Sequence, residues 1–477
     1  GMLPLFRGFY PAAHPQQVKL PPVDIEAALA LWDGLEERPE MGLPLTRAMM
    51  VMDKPGQIIA AARKNLAFSR RYNDLSGVAI SLTTPGWLSC QVLGDFAEAQ
   101  QFLEEALAID REIGFDLNAR WSRKVLSHIA YLRGQYAEAK VHLEESVAHH
   151  RMGGIAKGLD TTLTALGDAA LELDEDVAAK AHFEESIVMA SSHQQHKAIA
   201  QGHVGLGIIA AFQGDITSAA TFYEDAYAKL RSVSIDVLSH SEELESLGFL
   251  ALLLGHFDQA LAHYEAILSS YRNTGYRVPL MRAHSRAGQA LIGLDDESRA
   301  TPYLFDALGE AMAMGALQVF LEALLGIAQL SLVPPASAAE LLAFVGEHSA
   351  SNRYSHIQAK HVLAMKKTLL SQDDFAIALQ RGFALTPESA VALVEPFKAD
   401  LEIAQPKIPQ PLVDPLSQRE LEVLVLIADG LTNWQIADQL YIGVSTVKKH
   451  INHIYSKLDV THRAQAVARA RTLNFLS

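Results

Sequence analysis

Ser445, Lys448, Lys449 and Asn452 fall on one face of a helical stretch whose other face carries Val447, Ile451, Ile454 and Leu458. The chemistry open to such a face is non-covalent. Ammonium groups pair with phosphate oxygens, and an amide beside them reaches the edge of a base. Two adjacent lysines on an arbitrary helix are usually a solvated face, so the setting decides. Ser417 with Glu420, and Thr432 with Gln435, are capping boxes. The first opens a helix through Leu421, Leu424 and Ile427 to Gly430, the second a short helix through Ile436, Ala437 and Leu440. Tyr441-Ile-Gly443 turns into the cationic helix, and Thr461 caps a fourth helix with Ala464, Val467 and Ala468 apolar. A short helix, a turn and a helix with a cationic face make a helix-turn-helix, whose second helix fits the major groove. His450 either touches phosphate or packs on the first helix, and Trp434 either covers the domain core or anchors a partner.

Covalent chemistry finds no such setting. Cys90 is the single cysteine, which excludes a disulfide framework within the chain and favours a reducing compartment. It falls on a repeat helix, where a buried, inert thiol is expected. Among the 19 histidines, His142 and His182 repeat each other's position, while His149-His150 and His193 with His196 form close pairs. No HExxH or Cys–His cluster accompanies them, so no metal is expected. Glu104-Glu105, Glu144-Glu145 and Glu184-Glu185 recur with a fixed period, which makes them architecture, not an acid/base pair. With no GxSxG and no glycine-rich phosphate loop, we expect no catalytic residue, no cofactor and no enzyme.

That period organises most of the chain. Leu132 to Ser146 aligns without a gap on Leu173 to Ser186 at a spacing of 40, and the frame recurs at Gly94, Gly214, Gly255 and Asp295. An alanine follows each turn at Ala99, Ala139, Ala179, Ala219, Ala260 and Ala300. Four residues further on sit Leu103, Leu143, Phe183, Tyr223, Tyr264 and Leu304. Before the turn stands a small residue, Ser127, Gly167, Gly207, Gly248 or Gly288, with Trp87 as the exception. The pattern reads as two helices crossing closely at the small residues, with the bulky residue filling the space beside the crossing. Neither helix buries its face alone, so the units stack into a solenoid. A seventh, weaker unit has Gly326 at the small position and Pro334-Pro335 at the turn, and helices near 355–370 and 386–395 cap the stack.

The expected division is therefore an N-terminal helical region over 1–54, with Asp24 to Glu37 as one helix, and a solenoid over 55–395. A proline-rich linker over 396–413 and the helix-turn-helix domain over 414–477 complete it. Its 477 residues allow about three domains, and 49% hydrophobic against 20% charged residues reads as folded, not disordered. From 412 onward seven cations face six anions, so that segment carries +1 while residues 1–411 carry the remaining −16. The asymmetry points to a separate partner for the C-terminal domain. Apolar runs such as Leu250 to Leu254 are too short to span a bilayer, and Met2 to Phe6 runs into Arg7 and prolines without forming a signal peptide. We expect a cytoplasmic protein with no membrane partner. Gly1 reads as a tag scar ahead of a native Met2.

The repeats resemble the tetratricopeptide repeat, with units longer than the usual length, over about 80–400. Ser417 to Leu424, Gly430 to Ala437, Thr446 to Ile451 and Lys457 to Val460, in that order, resemble the LuxR-type DNA-binding domain. That resemblance implies an all-α protein: a tetratricopeptide-like solenoid followed by a four-helix LuxR-type domain. It implies base reading by Lys448, Lys449 and Asn452, backbone contacts at Thr432, Ser445, Thr446 and Lys457, and a homodimer on double-stranded promoter DNA, with RNA polymerase as a further partner. Gly443 stands where the family often has a serine cap and Gln435 where it often has glutamate, which leaves the cationic face intact but alters sequence preference. Repeats followed by this domain also look like the C-terminal half of the MalT-like regulators, which carry an ATPase ahead of them. No Gly is followed by Lys here, so no Walker A motif exists: either the protein lacks the nucleotide switch or the chain is a fragment, and the start at Gly1-Met2 leans toward a complete, ATPase-free protein. The function expected is a sequence-specific transcription regulator, an activator, whose solenoid senses a peptide, protein or small-molecule effector on its concave face. The alternative is an interaction scaffold whose C-terminal domain docks protein.

Overall fold

The computed structural model describes residues 55–153, 158–232, 241–272, 274–404 and 463–472, with residues 423–424, 426–428, 431, 436, 447, 451, 454–455, 457–458 and 460 of the C-terminal domain. The expected helix at Asp24 to Glu37 lies outside them. The described residues form helices and turns and no strand. The chain divides into two compact units, Gly1–Val394 and Glu395–Ser477.

Among the described residues of the first unit, α1 (Pro55–Arg71) comes first, packed on α2 (Leu75–Leu88). Then come α3 (Phe96–Ile113), α4 (Asp116–Leu132), α5 (Tyr136–Met152), α6 (Leu159–Glu172) and α7 (Asp176–Ser192). After these run α8 (His196–Phe212), α9 (Ile216–Arg231), α10 (Ser241–Leu253), α11 (Phe257–Tyr271), α12 (Arg277–Gly293) and α13 (Glu297–Met314). Each even-numbered helix pairs with the next to form a hairpin, and α14 (Leu317–Ile327) with α15 (Pro335–Glu347) is the seventh. α16 (Arg353–Lys367), α17 (Gln372–Phe383) and α18 (Pro387–Ala404) follow.

The physical basis of the period is visible at each turn. Gly94, Gly134, Asp174, Gly214, Gly255 and Asp295 all take the left-handed conformation, with φ from 58° to 79°. That bend lets the next residue return its N–H to the end of the first helix. Where the next residue is aspartate, it caps the second helix: Asp95 accepts from the Glu98 N–H, Asp215 from Ser218 and Asp296 from Arg299. The alanine and bulky columns are buried in all six units, none of their residues being more than 3% exposed. The close crossings are equally direct. A Cβ on Gly167 would lie 2.5 Å from Phe183, one on Gly248 2.8 Å from Tyr264, and one on Gly288 2.6 Å from Leu304.

Trp87 is not an exception to this rule but a register shift. In the first hairpin the close crossing belongs to Gly86, whose Cβ would sit 2.9 Å from Leu103 and 3.3 Å from the Ala99 carbonyl. A π-helical turn, Ser89–Leu93, holds one extra residue between that glycine and the bend at Gly94. The closing bond records it. In the second hairpin Gln135 N–H returns to Ala130 and in the third Glu175 to Ala170, five residues back, whereas Asp95 N–H reaches Ser89, six back. Cys90 lies inside this turn, fully buried, its thiol pushed up to about 12 by burial.

Two further outcomes differ from expectation. α17 had no counterpart in the sequence reading. α18 carries Pro396 inside it, so the segment read as linker from 396 is helical as far as Ala404. No described helix is long and apolar enough to cross a membrane.

Candidate DNA-binding domain and solenoid interior

In the C-terminal unit the core consists of Val423, Leu424, Ile427, Ile436, Val447, Ile451, Ile454, Leu458, Ala466 and Ala470. The spacing of Val447, Ile451, Ile454 and Leu458 is that of one helix face, turned onto residues of the first helix. Leu431 N–H returns to the Leu426 carbonyl at 3.1 Å and Val460 N–H to Tyr455 at 2.9 Å, each five residues back. Arg463, counted in sequence only as one of the cations, fastens these pieces. From the start of α19 (Arg463–Thr472) its guanidinium donates to the carbonyls of Ile427, at 3.1 Å, and of Leu431. Of the residues expected to meet DNA, Lys457 is described, helical and half-buried beside Leu458. Lys448, Lys449, Asn452, Thr432, Ser445, Thr446 and His450 lie outside the described residues, as does Trp434.

In the first unit the hairpins curl until distant ones meet. Arg277 Nη1 donates to the Leu93 carbonyl at 2.9 Å, the Trp87 and Tyr276 rings stand 5.8 Å apart, and a Cβ on Gly94 would meet Met314 at 2.4 Å. The first helices of the hairpins therefore enclose a narrow interior, and its lining is polar and charged. Arg282 and Arg286 both pair with Glu245, at 2.7 and 3.2 Å. Arg286 also reaches Glu322 at 3.5 Å and lies over the Phe249 ring at 4.5 Å. Burial pushes the Asp168 carboxyl up to about 7, with Glu172 adding to it and Arg282 and Arg286 opposing. Burial likewise raises Glu172 and drives His128 down to about 3, the latter helped by Arg282 and Lys124.

The turn between α15 and α16 enters this interior. Tyr136 Oη donates to the Ala350 carbonyl at 3.0 Å, and Asn352 Nδ2 donates to Glu322 Oε1 while its Oδ1 caps α16 through the Ser355 N–H at 2.8 Å. The Arg353 N–H donates to Glu172 Oε2 at 2.7 Å. Its guanidinium meets Asp174 at 3.1 Å and Asp176, and lies 4.6 Å over the Phe212 ring. The Tyr354 ring stands edge-on to Phe249 at 5.5 Å. Sequence periodicity gave no hint of this, because no spacing rule pairs residues 180 positions apart. The expectation of an effector on the concave face now has to account for a stretch of the chain already there. His142 and His182, which share a repeat position, are half-buried on α5 and α7.

The fold and these two regions define a helical-repeat protein with a C-terminal helix-turn-helix domain. Residues 414–470 match the family described as bacterial regulatory proteins, luxR family, and residues 88–152 match the tetratricopeptide repeat. The C-terminal segment is thus a LuxR-type domain and the hairpins are tetratricopeptide-like repeats. Over 75 residues the chain is 43% identical to the HTH-type transcriptional regulator MalT of Yersinia pestis (strain Pestoides F) and to that of Serratia proteamaculans (strain 568). The stretch covers 16% of this chain and 8% of each relative, so the chain matches less than a tenth of their length. Among solved structures, the Rap conjugation gene regulator of plasmid pLS20 in complex with the Phr* peptide is 13% identical, with a TM-score of 0.44, over 72% of this chain and 90% of that one. NprR in complex with its cognate peptide NprX is 12% identical, with a TM-score of 0.38, over 70% and 100%.

Proposed function

We propose that this protein is a transcription regulator that binds promoter DNA through residues 414–477 as a homodimer, activates transcription, and senses an effector through the solenoid. The observation that carries the reading is the buried face Val447, Ile451, Ile454 and Leu458 within a matched LuxR-type domain. A helix fixed by those four positions turns the residues between them, Lys448, Lys449 and Asn452, toward a groove. In this reading those three read bases. Thr432, Ser445, Thr446 and Lys457 hold the backbone, and His450 lies close to it. The likeness to relatives named as transcriptional regulators supports the same assignment.

The test is selection from a random double-stranded DNA pool with the full chain, alongside the Lys448→Ala/Lys449→Ala/Asn452→Ala variant. Enrichment of a two-fold symmetric site, lost in the variant, is the expected result. A folded chain that enriches nothing, with and without the solenoid, would sink the reading. Transcription from a template carrying the selected site then distinguishes activation from repression.

A further inference from the structure

The turn 350–354 is held as a ligand is held. Its anchors come from five hairpins: Tyr136 on the second, Glu172, Asp174 and Asp176 on the third, Phe212 on the fourth, Phe249 on the fifth, and Glu322 on the seventh. Two of the contacts are to main-chain groups, the Ala350 carbonyl and the Arg353 N–H, which any peptide offers. The remainder select side chains: an acidic pair with an aromatic face for a guanidinium, a carboxylate for an amide, and a ring edge for an aromatic residue. The interior around them is not saturated. Nε2 of His128, Nε of Arg282, Oγ of Ser285 and Oε1 of Gln289 are buried and find no hydrogen-bond partner in the protein.

We propose that the solenoid interior is a peptide-binding site occupied by the chain's own Ala350–Tyr354 segment, and that its effector is a peptide presenting an arginine beside an aromatic residue. Such a peptide replaces the internal segment contact for contact and in addition meets the unpaired interior groups. The released turn begins α16, and α16 to α18 are the helices that precede the DNA-binding domain in sequence. The inference rests on the sensing role proposed above only for its consequence. Peptide exchange itself is read without DNA, so failure of either reading leaves the other standing.

The experiment uses the full chain and a synthetic acetylated, amidated peptide of residues 350–355, with the same peptide carrying alanine for its arginine as control. Hydrogen exchange of the wild-type chain is followed with increasing peptide. Residues 350–356 are expected to be protected in the free chain and to lose at least tenfold of that protection on adding the peptide, with no comparable loss in α3 or α9. The control peptide is expected to bind at least tenfold more weakly, the loss of a charge-assisted pair. In the Arg353→Ala chain, where the internal segment is loosened, calorimetry should give at least tenfold tighter peptide binding. If that variant does not fold, the wild-type exchange experiment decides alone. No release at millimolar peptide, or equal action of the two peptides, overturns the proposal.

Discussion

The Arg353 backbone N–H donates to the Glu172 carboxylate at 2.7 Å across 181 residues, while the other oxygen of that carboxylate accepts from Tyr131 at 2.7 Å. One side chain thus joins the second and third hairpins to the start of α16. Replacing it leaves a buried amide and a buried hydroxyl without an acceptor. Glu172→Ala is expected to lower unfolding stability by about 2–4 kcal/mol, and Glu172→Gln by less than half of that. Urea titration followed by circular dichroism checks both, and equal losses would count against the double acceptor role.

Gly134 and Gly214 form a matched pair. Both are left-handed, at φ 74° and 79°. A Cβ at Gly134 would meet backbone and side-chain atoms of Ala350 at 2.3–2.7 Å, whereas at Gly214 it meets nothing within 4 Å. Alanine at either position incurs the left-handed penalty of about 1–2 kcal/mol. Gly134→Ala should lose roughly 2 kcal/mol more, from displaced packing at Ala350. A double comparison of melting curves reads the difference, and identical shifts would show that the contact contributes nothing.

Gly86 tests the register shift. Residues one position before the small column in other units carry side chains: Leu126, Leu166, Leu206, Leu247 and Ala287. By period alone Gly86 belongs with them and should accept a side chain. By structure it stands against Leu103, as Gly288 stands against Leu304. Gly86→Ala gains helix propensity yet is expected to be destabilising by about 1–3 kcal/mol, in step with Gly288→Ala. A stabilised Gly86→Ala chain would refute the assignment.

Asp110 predicts a pH effect of fixed sign. It is 2% exposed, accepts from Asn118 at 2.8 Å, and burial pushes its carboxyl up to about 7. Its folded pKa lies above the unfolded one, so its contribution to stability is complete below about pH 4 and is lost as pH rises to about 7. Asp110→Asn stays neutral throughout. The variant should therefore gain on the wild type between pH 4 and 7, by about 4 kcal/mol relative to the low-pH difference, and hold that gain above it. Because several histidines, His128 and His263 among them, are shifted the other way, the difference between the two proteins is the quantity to measure.

Arg463 and the lysines separate structural from electrostatic roles in the C-terminal domain. Arg463→Ala leaves two carbonyls unpaired, and should weaken DNA binding about tenfold through lost domain stability of about 1–2 kcal/mol, with the salt dependence unchanged. Lys448→Ala or Lys449→Ala should each lower the slope of log affinity against log salt by about 1 if it meets phosphate. Binding isotherms at four salt concentrations distinguish the patterns.

The repeat was legible because each of its columns is enforced locally. A left-handed bend, an aspartate cap and a buried alanine follow one another within six residues, and pattern reading sees that far. The same locality explains the failures. The π-turn changed one count and made Trp87 look aberrant. α17 is short and stands outside the repeat period, so no column of the frame pointed to it. The domain core at Val447, Ile451, Ile454 and Leu458 was readable from spacing, but the clamp by Arg463 was not, since a charged residue bonding carbonyls 32 and 36 positions away has no periodic signature. The polar interior was invisible for the same reason: Arg286, Glu245 and Glu322 look like ordinary surface charges until the coil closes around them.

The contacts from Leu93 to Arg277 and from Glu172 to Arg353 also set a kinetic order. Ordinary repeat arrays fold from neighbour to neighbour, and any run of units is a viable intermediate. Here the second and third hairpins wait for a segment synthesised some 180 residues later before their carboxylates and hydroxyls are satisfied. Contacts of that length slow the search and bind the array into one cooperative step. A nascent chain that ends before Arg353 therefore leaves Glu172, Asp174 and Asp176 without that partner, and deleting the last helices is expected to leave an incomplete fold in place of a shorter solenoid.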